Sequence, residues 1–269
     1  MHSRPAAQSA SLDELLRTLH LPSFRTAYQE VAQTAIAEGL SYEQFLWGLC
    51  DRACLDRLNN RTKRLLNESR IPLEKSWETF KQDRLPLSLR QQIAALLDGS
   101  FLDRKENILA FGNPGSGKTH LLCALSQELI AGGRRILYRP CSLLVQDLLA
   151  AKRDLTLSKF IKHLSLYEGL LIDDIGYVQQ SRDEMEVLFT LLAERYERGS
   201  VLITSNLPFS GWESIFKDAM TTAAAIDRLV HHSVILELNV PSYRIAQAKM
   251  RSADQPAQAN PADSQEDAK

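Results

Sequence analysis

Between Asn107 and about Pro241 the chain alternates short apolar runs with amphipathic stretches: NILAFG, RRILYR, GLLIDDIG, SVLITSN and HSVILELN are each separated by segments of helical periodicity. Apolar runs of strand length set between helices predict a parallel sheet covered on both faces. Upstream, residues 11 to 70 read as helical. Ser11 with Glu14 three residues on predicts a capping box, ahead of an apolar stripe of Leu12, Leu15, Leu16 and Leu19 that Pro22 ends. A second helix is expected after Phe24, stopping at Gly39 and Leu40. Ser41 then caps a long third helix with apolar Phe45, Leu46, Leu49, Leu55 and Leu58. Pro72 and Pro86 make 71–105 an expected irregular linker with one short helix, QQIAALLDG. From Ser252 on, the Ala, Gln, Pro and Asp-rich segment has no apolar period and predicts a disordered tail. The expected organisation is a helical N-terminal domain over 1–70, the linker over 71–105, an α/β domain over 106–250 and a tail over 251–269.

Composition narrows the class. With 269 residues, 44% hydrophobic and 24% charged, the chain has the make-up of a soluble globular protein that can bury a core. No apolar run approaches the ~18–20 residues that span a bilayer, and the N-terminus lacks the apolar stretch of a signal peptide, so a cytoplasmic protein with no membrane partner is expected. Cys50, Cys54, Cys123 and Cys141 are too few for a disulfide scaffold and lack further partners at zinc-ligand spacing, so they read as reduced thiols. Thirty-two Lys and Arg against 33 Asp and Glu give a net charge of -1, which excludes coating of nucleic acid by bulk charge. Locally the balance differs, because Arg52, Arg57, Arg61, Lys63, Arg64 and Arg70 face only Asp56 and Glu68. A solvated helix face and a phosphate-contacting one are both open readings of that segment.

The sharpest chemistry follows the first strand. Gly112-Asn113-Pro114-Gly115-Ser116-Gly117-Lys118-Thr119 matches the phosphate-loop pattern G-x-x-x-x-G-K-[ST], with a strand before it and a helix, beginning near His120, after it. Glycines let the backbone curl with its N–H groups inward, and the helix N-terminus adds partial positive charge, so such a loop encloses a polyphosphate. Lys118 is expected to reach the β- and γ-phosphates and Thr119 to ligate Mg²⁺. At the end of GLLIDDIG, Asp173 fits the Walker B role of holding Mg²⁺, and Asp174 stands where many ATPases carry the Glu that orients water. Asp is one methylene shorter, so slow intrinsic hydrolysis is expected. Asn206, closing SVLITSN, fits a sensor-1 role at the γ-phosphate or the water. Arg228, in a helix before the last strand, reads as an arginine finger for the nucleotide of a neighbouring subunit.

With these residues in hand, the chain resembles the IstB-type transposition helper ATPases, AAA+ proteins related to the DnaC helicase loader and, more distantly, to the initiator DnaA. The resemblance runs from about Ser11 to Arg244 and rests on ENILAFGNPGSGKTHL, LLIDDIGYVQQSRDEMEVLFTLLAERYERGSVLITSNLPFSGW, AAAIDRLVHHS and PSYR. It implies that 106–250 is a P-loop AAA+ ATPase domain without an evident C-terminal lid, preceded by a small all-α domain. It further implies ATP and Mg²⁺ as cofactors, Gly112 to Thr119 with the adjoining His120 as the nucleotide loop, Asp173 and Asp174 as Walker B, Asn206 as sensor 1 and Arg228 as the trans-acting finger. Ser242-Tyr243-Arg244 matches a family element expected near the nucleotide or a subunit contact. The implied partners are duplex DNA without strong sequence preference, a DDE transposase, and further copies of the chain assembled with ATP. A DnaC-like helicase loader and an ATP-gated DNA clamp with vestigial hydrolysis are the competing expectations.

Overall fold

The computed structural model describes residues 11–176, 181–212 and 219–243. The chain divides into two compact units, Met1–Asn67 and Glu68–Lys269.

In the first unit, three helices follow one another: α1 (Leu12–Thr18), α2 (Pro22–Glu38) and α3 (Tyr42–Ser69). The reciprocal cap at α1 forms as expected, with Glu14 N–H on Ser11 Oγ and Ser11 N–H on the Glu14 carboxylate. A second reciprocal cap opens α3, where Ser41 N–H donates to Gln44 Oε1 at 2.8 Å and Gln44 N–H to Ser41 Oγ at 3.2 Å. The expected start of α2 is corrected: Pro22 is its first residue, because a missing N–H and a fixed φ suit the first helical turn. Burial along the expected apolar stripes is partial. Leu16, Leu49, Ala53 and Leu65 are buried, whereas Leu12, Leu15, Leu19, Leu46, Leu55 and Leu58 are exposed.

The second unit is built on a five-stranded sheet in the order β2-β3-β4-β1-β5, every pair parallel. Its strands are β1 (Asn107–Phe111), β2 (Ile136–Pro140), β3 (Gly169–Ile175), β4 (Ser200–Ser205) and β5 (Ser233–Glu237). They coincide with the five apolar runs, and the central three are almost wholly buried. The crossovers are α6 (Lys118–Ala131), then α7 (Cys141–Arg153) with α8 (Leu157–Leu164), α9 (Arg182–Arg195) and α10 (Ala219–Val230). The core runs from β1, β3 and β4 into α7, α9 and Trp212, none of whose side chain is exposed. No disulfide joins the four cysteines; Cys123 is buried, and burial pushes its thiol up to about 12, so it is neutral.

Residues 71–105 are more ordered than an irregular linker. Pro86 precedes a helix instead of breaking one: α4 (Leu87–Leu96) buries Leu89, Ile93 and Leu96, and α5 (Ser100–Asp103) buries Phe101 and Leu102. Pro86 sits at the N-cap, where a proline does not oppose the helix that follows, and α4 contains most of the short helix expected at QQIAALLDG. The expected tail over 251–269, and Arg244, lie outside the described residues.

A buried arginine ties the sheet's lower edge. Arg195, last in α9 and 3% exposed, donates to the carbonyls of Leu164, Tyr167, Glu168 and Ser200 at 2.9–3.2 Å. Burial lowers its guanidinium to about 10, yet it stays charged at neutral pH. Gly199 leaves the room, since a Cβ there would lie 2.6 Å from Arg195 Nη2. Replacing Arg195 by Met strips several buried carbonyls of their donor, and a loss of about 3 kcal/mol in urea unfolding is expected. A change under about 0.5 kcal/mol, the range of surface substitutions, would contradict this role.

Candidate nucleotide site

The site forms at the carboxyl ends of the strands, where a parallel sheet opens to ligands. After β1 the chain turns through Gly112 to Gly117 and enters α6 at Lys118. Two glycines are dictated by contact as well as by dihedral. A Cβ on Gly112 (φ 150°) would sit 2.5 Å from Leu238 O, and one on Gly115 (φ 79°) would sit 2.2 Å from Ser242 Oγ. The loop is therefore pressed against the chain that follows β5. Lys118, 6% exposed, folds over its own loop and donates to Gly112 O at 2.7 Å and Asn113 O at 3.0 Å.

Asp173 gathers three hydroxyls from three other elements. Thr119 Oγ1 donates to Asp173 Oδ1 at 2.7 Å, Thr204 Oγ1 to the same oxygen at 2.6 Å, and Tyr138 Oη to Oδ2 at 3.0 Å. Burial, then the Asp173 charge, pushes the Tyr138 phenol well above its ordinary value, so it remains a donor. The register explains why Asp174 goes elsewhere. Ile172 pairs with Ile203 and Ile175 with Ser205, so three steps on β3 match two on β4, a bulge at the two acids. Asp174 takes φ 59°, a conformation Asp tolerates better than most residues, and its N–H donates to Thr204 Oγ1 at 2.8 Å. The Thr204 hydroxyl thus fixes both acids, accepting from one backbone and donating to the other carboxylate.

A cavity of about 260 Å³ opens at this point, lined by Pro114 to His120, by Asp174 and Asn206, and by residues of 75–85 and 240–243. Asn206 Oδ1 and Ser116 Oγ are buried with no hydrogen-bond partner among the described residues. Buried polar atoms are normally satisfied, so these two fit a site made to receive a polar ligand. Thr119 and Asp173, already in contact, form an oxygen pair of the kind Mg²⁺ takes together with phosphate oxygens and water.

The IstB-like ATP binding protein family matches residues 14–252. The chain belongs to this family. It is 40% identical over 236 residues to an insertion sequence ATP-binding protein of Sinorhizobium fredii, covering 87% of this chain and 79% of that one. It is 33% identical to the insertion sequence IS5376 ATP-binding protein of Geobacillus stearothermophilus, over 91% of this chain and 97% of the relative. Among solved structures, the DnaC helicase loader superposes with a TM-score of 0.51 at 18% identity, covering 61% of this chain and 97% of that one. DnaA from Aquifex aeolicus bound to AMPPCP gives 0.53 at 16%, covering 71% and 58%. At such identities the likeness shows the fold, which is that of P-loop AAA+ proteins.

Within TSNLPFSGW, the chain on either side of Asn206 is tied down. Ser205 Oγ lies 3.1 Å from Ile175 O and 2.9 Å from Leu207 O and accepts from Leu207 N–H, while Trp212 Nε1 donates to Leu207 O at 3.2 Å. Arg228 lies apart from the cavity. Its guanidinium covers the Phe189 ring at 5.0 Å, and its Nη1 is buried without a hydrogen-bond partner among the described residues. His120 joins the loop to the preceding segment, its ring 3.0 Å from Ser76 O and 3.1 Å from Thr79 Oγ1.

Sequence reasoning missed Tyr138 and Thr204, whose hydroxyls meet Asp173. For Thr204 a signal existed, a hydroxyl inside an otherwise apolar strand two residues before Asn206. Thr204→Val keeps the shape and removes the shared hydroxyl. It is expected to lower unfolding free energy by about 1–3 kcal/mol by leaving the Asp174 N–H and Asp173 short of a partner, with Thr204→Ser restoring most of the loss. A Val variant as stable as wild type in urea would contradict the bridge.

Proposed function

We propose that this chain binds ATP with Mg²⁺ at the loop from Gly112 to Thr119, hydrolyses it slowly, and serves an insertion sequence as the ATP-dependent partner of a separate DDE transposase on duplex DNA. One observation carries the reading: phosphate loop, Asp174 and Asn206 converge on one cavity, with Asp173 bonded to Thr119 beside it, in a chain of the IstB-like ATP binding family. Loop amides and Lys118 take the polyphosphate, with Lys118 leaving its loop carbonyls to do so. Thr119 and Asp173 hold Mg²⁺, which neutralises charge on the phosphates when bound. Asp174 orients the attacking water, and Asn206, its carbonyl oxygen free to accept, steadies the same water.

Arg228 serves a neighbour. An arginine outside its own cavity, resting on the Phe189 ring, carries planar donors that suit a phosphate presented by another copy once it leaves that ring. ATP then favours the oligomer, because only the assembled state completes the site. A near-neutral protomer gains DNA affinity as its basic segment from Arg52 to Arg70 is repeated along the phosphates. The relatives' names, which speak of insertion sequences, favour this reading over a helicase loader, whose likeness is one of fold. The short reach of Asp174 favours one alternative, an ATP-gated clamp that scarcely hydrolyses.

Phosphate release with and without duplex DNA separates the two. Slow turnover that DNA accelerates is expected, together with a drop of about tenfold or more in Asp174→Asn. Absence of any DNA-stimulated release would leave only the clamp, and an unchanged rate in the Asn variant would remove Asp174 from the chemistry.

A further inference from the structure

The turns that lead into β4 and β5 lie at the amino ends of the strands, the edge of the sheet opposite the phosphate loop. Glu197 stands in the turn between α9 and β4, and His231 and His232 make up the turn between α10 and β5. All three residues are exposed. Although β1 lies between the two strands they precede, one ligand atom from each of the three lies within 4.8 Å of the other two.

Buried Asn107, the first residue of β1, holds the turns in place. Its N–H donates to His232 O at 2.7 Å and its Nδ2 to Leu229 O at 3.1 Å, while its Oδ1 accepts from Val201 N–H at 2.9 Å. One side chain thus fixes the end of α10 against the start of β4. The groups themselves also meet. The two imidazole rings stand edge to face with centroids 4.2 Å apart, and Tyr196 Oη lies 3.2 Å from His231 Nδ1, with the Glu197 carboxylate beside the same hydroxyl. The neighbouring charges have other partners: Arg198 Nη1 lies 2.8 Å from Glu194, and Arg104 binds Glu106 at 2.8 and 2.9 Å.

Two imidazoles and a carboxylate are the donor set of three-ligand zinc sites, with bonds of about 2.0–2.2 Å and a fourth position left to water. Nitrogen donors select such a cation over Mg²⁺, which takes oxygens. Bonds of that length require the ligand atoms to draw together by roughly 1–1.5 Å, a change that exposed side chains make by rotating while the backbone stays fixed.

We propose that Glu197, His231 and His232 form a divalent transition-metal site of the zinc class, which clips the α9–β4 turn to the α10–β5 turn. The three ligands meet only in the folded chain, so a bound cation stabilises the fold. The site shares no residue with the nucleotide cavity and does not depend on the nucleotide reading.

Calorimetric titration of Zn²⁺ into the untagged, metal-stripped full chain tests this, in excess Mg²⁺ to compete for sites built of oxygens alone. One Zn²⁺ per chain is expected to bind and to raise the thermal unfolding midpoint by a few degrees. Glu197→Gln, which keeps the size of the side chain, and His232→Ala are each expected to weaken binding about tenfold or more, a cost usual even for losing a group that only orients a ligand. Without metal, Glu197→Gln unfolds at the wild-type midpoint, and with Zn²⁺ it loses the rise. The exposed thiols of Cys50 and Cys54 are the competing ligands, and Cys50→Ser/Cys54→Ser is expected to bind Zn²⁺ as the wild type does. Loss of binding in that variant would place the metal on the thiols and overturn the site. Unchanged binding in both Glu197→Gln and His232→Ala, or a wild type that binds no Zn²⁺, would overturn it equally.

Discussion

The carboxylate of Asp173 is the point on which the site depends. Buried at the carboxyl edge of the sheet, it accepts hydroxyls from Tyr138 on β2, Thr204 on β4 and Thr119 on α6. A buried charge is tolerated only when its lone pairs are met, and here three donors from three elements meet them. The consequence reaches beyond one residue: the two strands flanking β3 and the helix that closes the phosphate loop are held in register by the same group. Each donor is therefore constrained by the sheet's topology, in which β3 lies between β2 and β4 while the loop hangs from β1 one strand further on.

The bulge at Asp173 and Asp174 turns this constraint into chemistry. Without it, adjacent residues of a strand point to opposite faces, and a second acid would be sent away from the ligand. With it, Asp173 stays among its hydroxyls while Asp174 lines the cavity. The cost is a left-handed backbone at a non-glycine residue, offset in part by the hydrogen bond from its N–H to Thr204. Strain next to two acids at the mouth of a cavity is where function is usually found, and the family to which the chain belongs agrees with a nucleotide there.

Much of this was legible in the sequence, for reasons that differ by residue. The phosphate loop is contiguous, so its glycines, Lys118 and Thr119 could be read together. The five strands were legible because burial on both faces leaves unbroken apolar runs. Asp173 and Asn206 stood out as polar residues closing such runs. Tyr138 and Thr204 did not, because their roles depend on which strand lies beside which, and strand order is not written in local pattern. The part of the cavity wall before the sheet was hidden for a similar reason: Phe80 lies against Gly117 and Arg84 against Tyr243, both far along the chain. The helical stripes of the first unit misled in the opposite direction, since periodicity marks a face that can be buried and not one that is, as exposed Leu15 and Leu58 attest.

A protomer with a net charge of -1 has no general attraction for DNA, so the proposed function draws its grip on phosphates from copies assembled with the nucleotide. The Asp173 carboxylate that organises the site is, in the proposed function, also the group that receives the cation. Calorimetry of ATP binding with and without Mg²⁺, in wild type and Asp173→Asn, asks this directly. Mg²⁺ is expected to tighten ATP binding by the wild type, whereas the isosteric variant still binds ATP without Mg²⁺ but loses the tightening. An Asn variant that gained as much from Mg²⁺ as the wild type would contradict it.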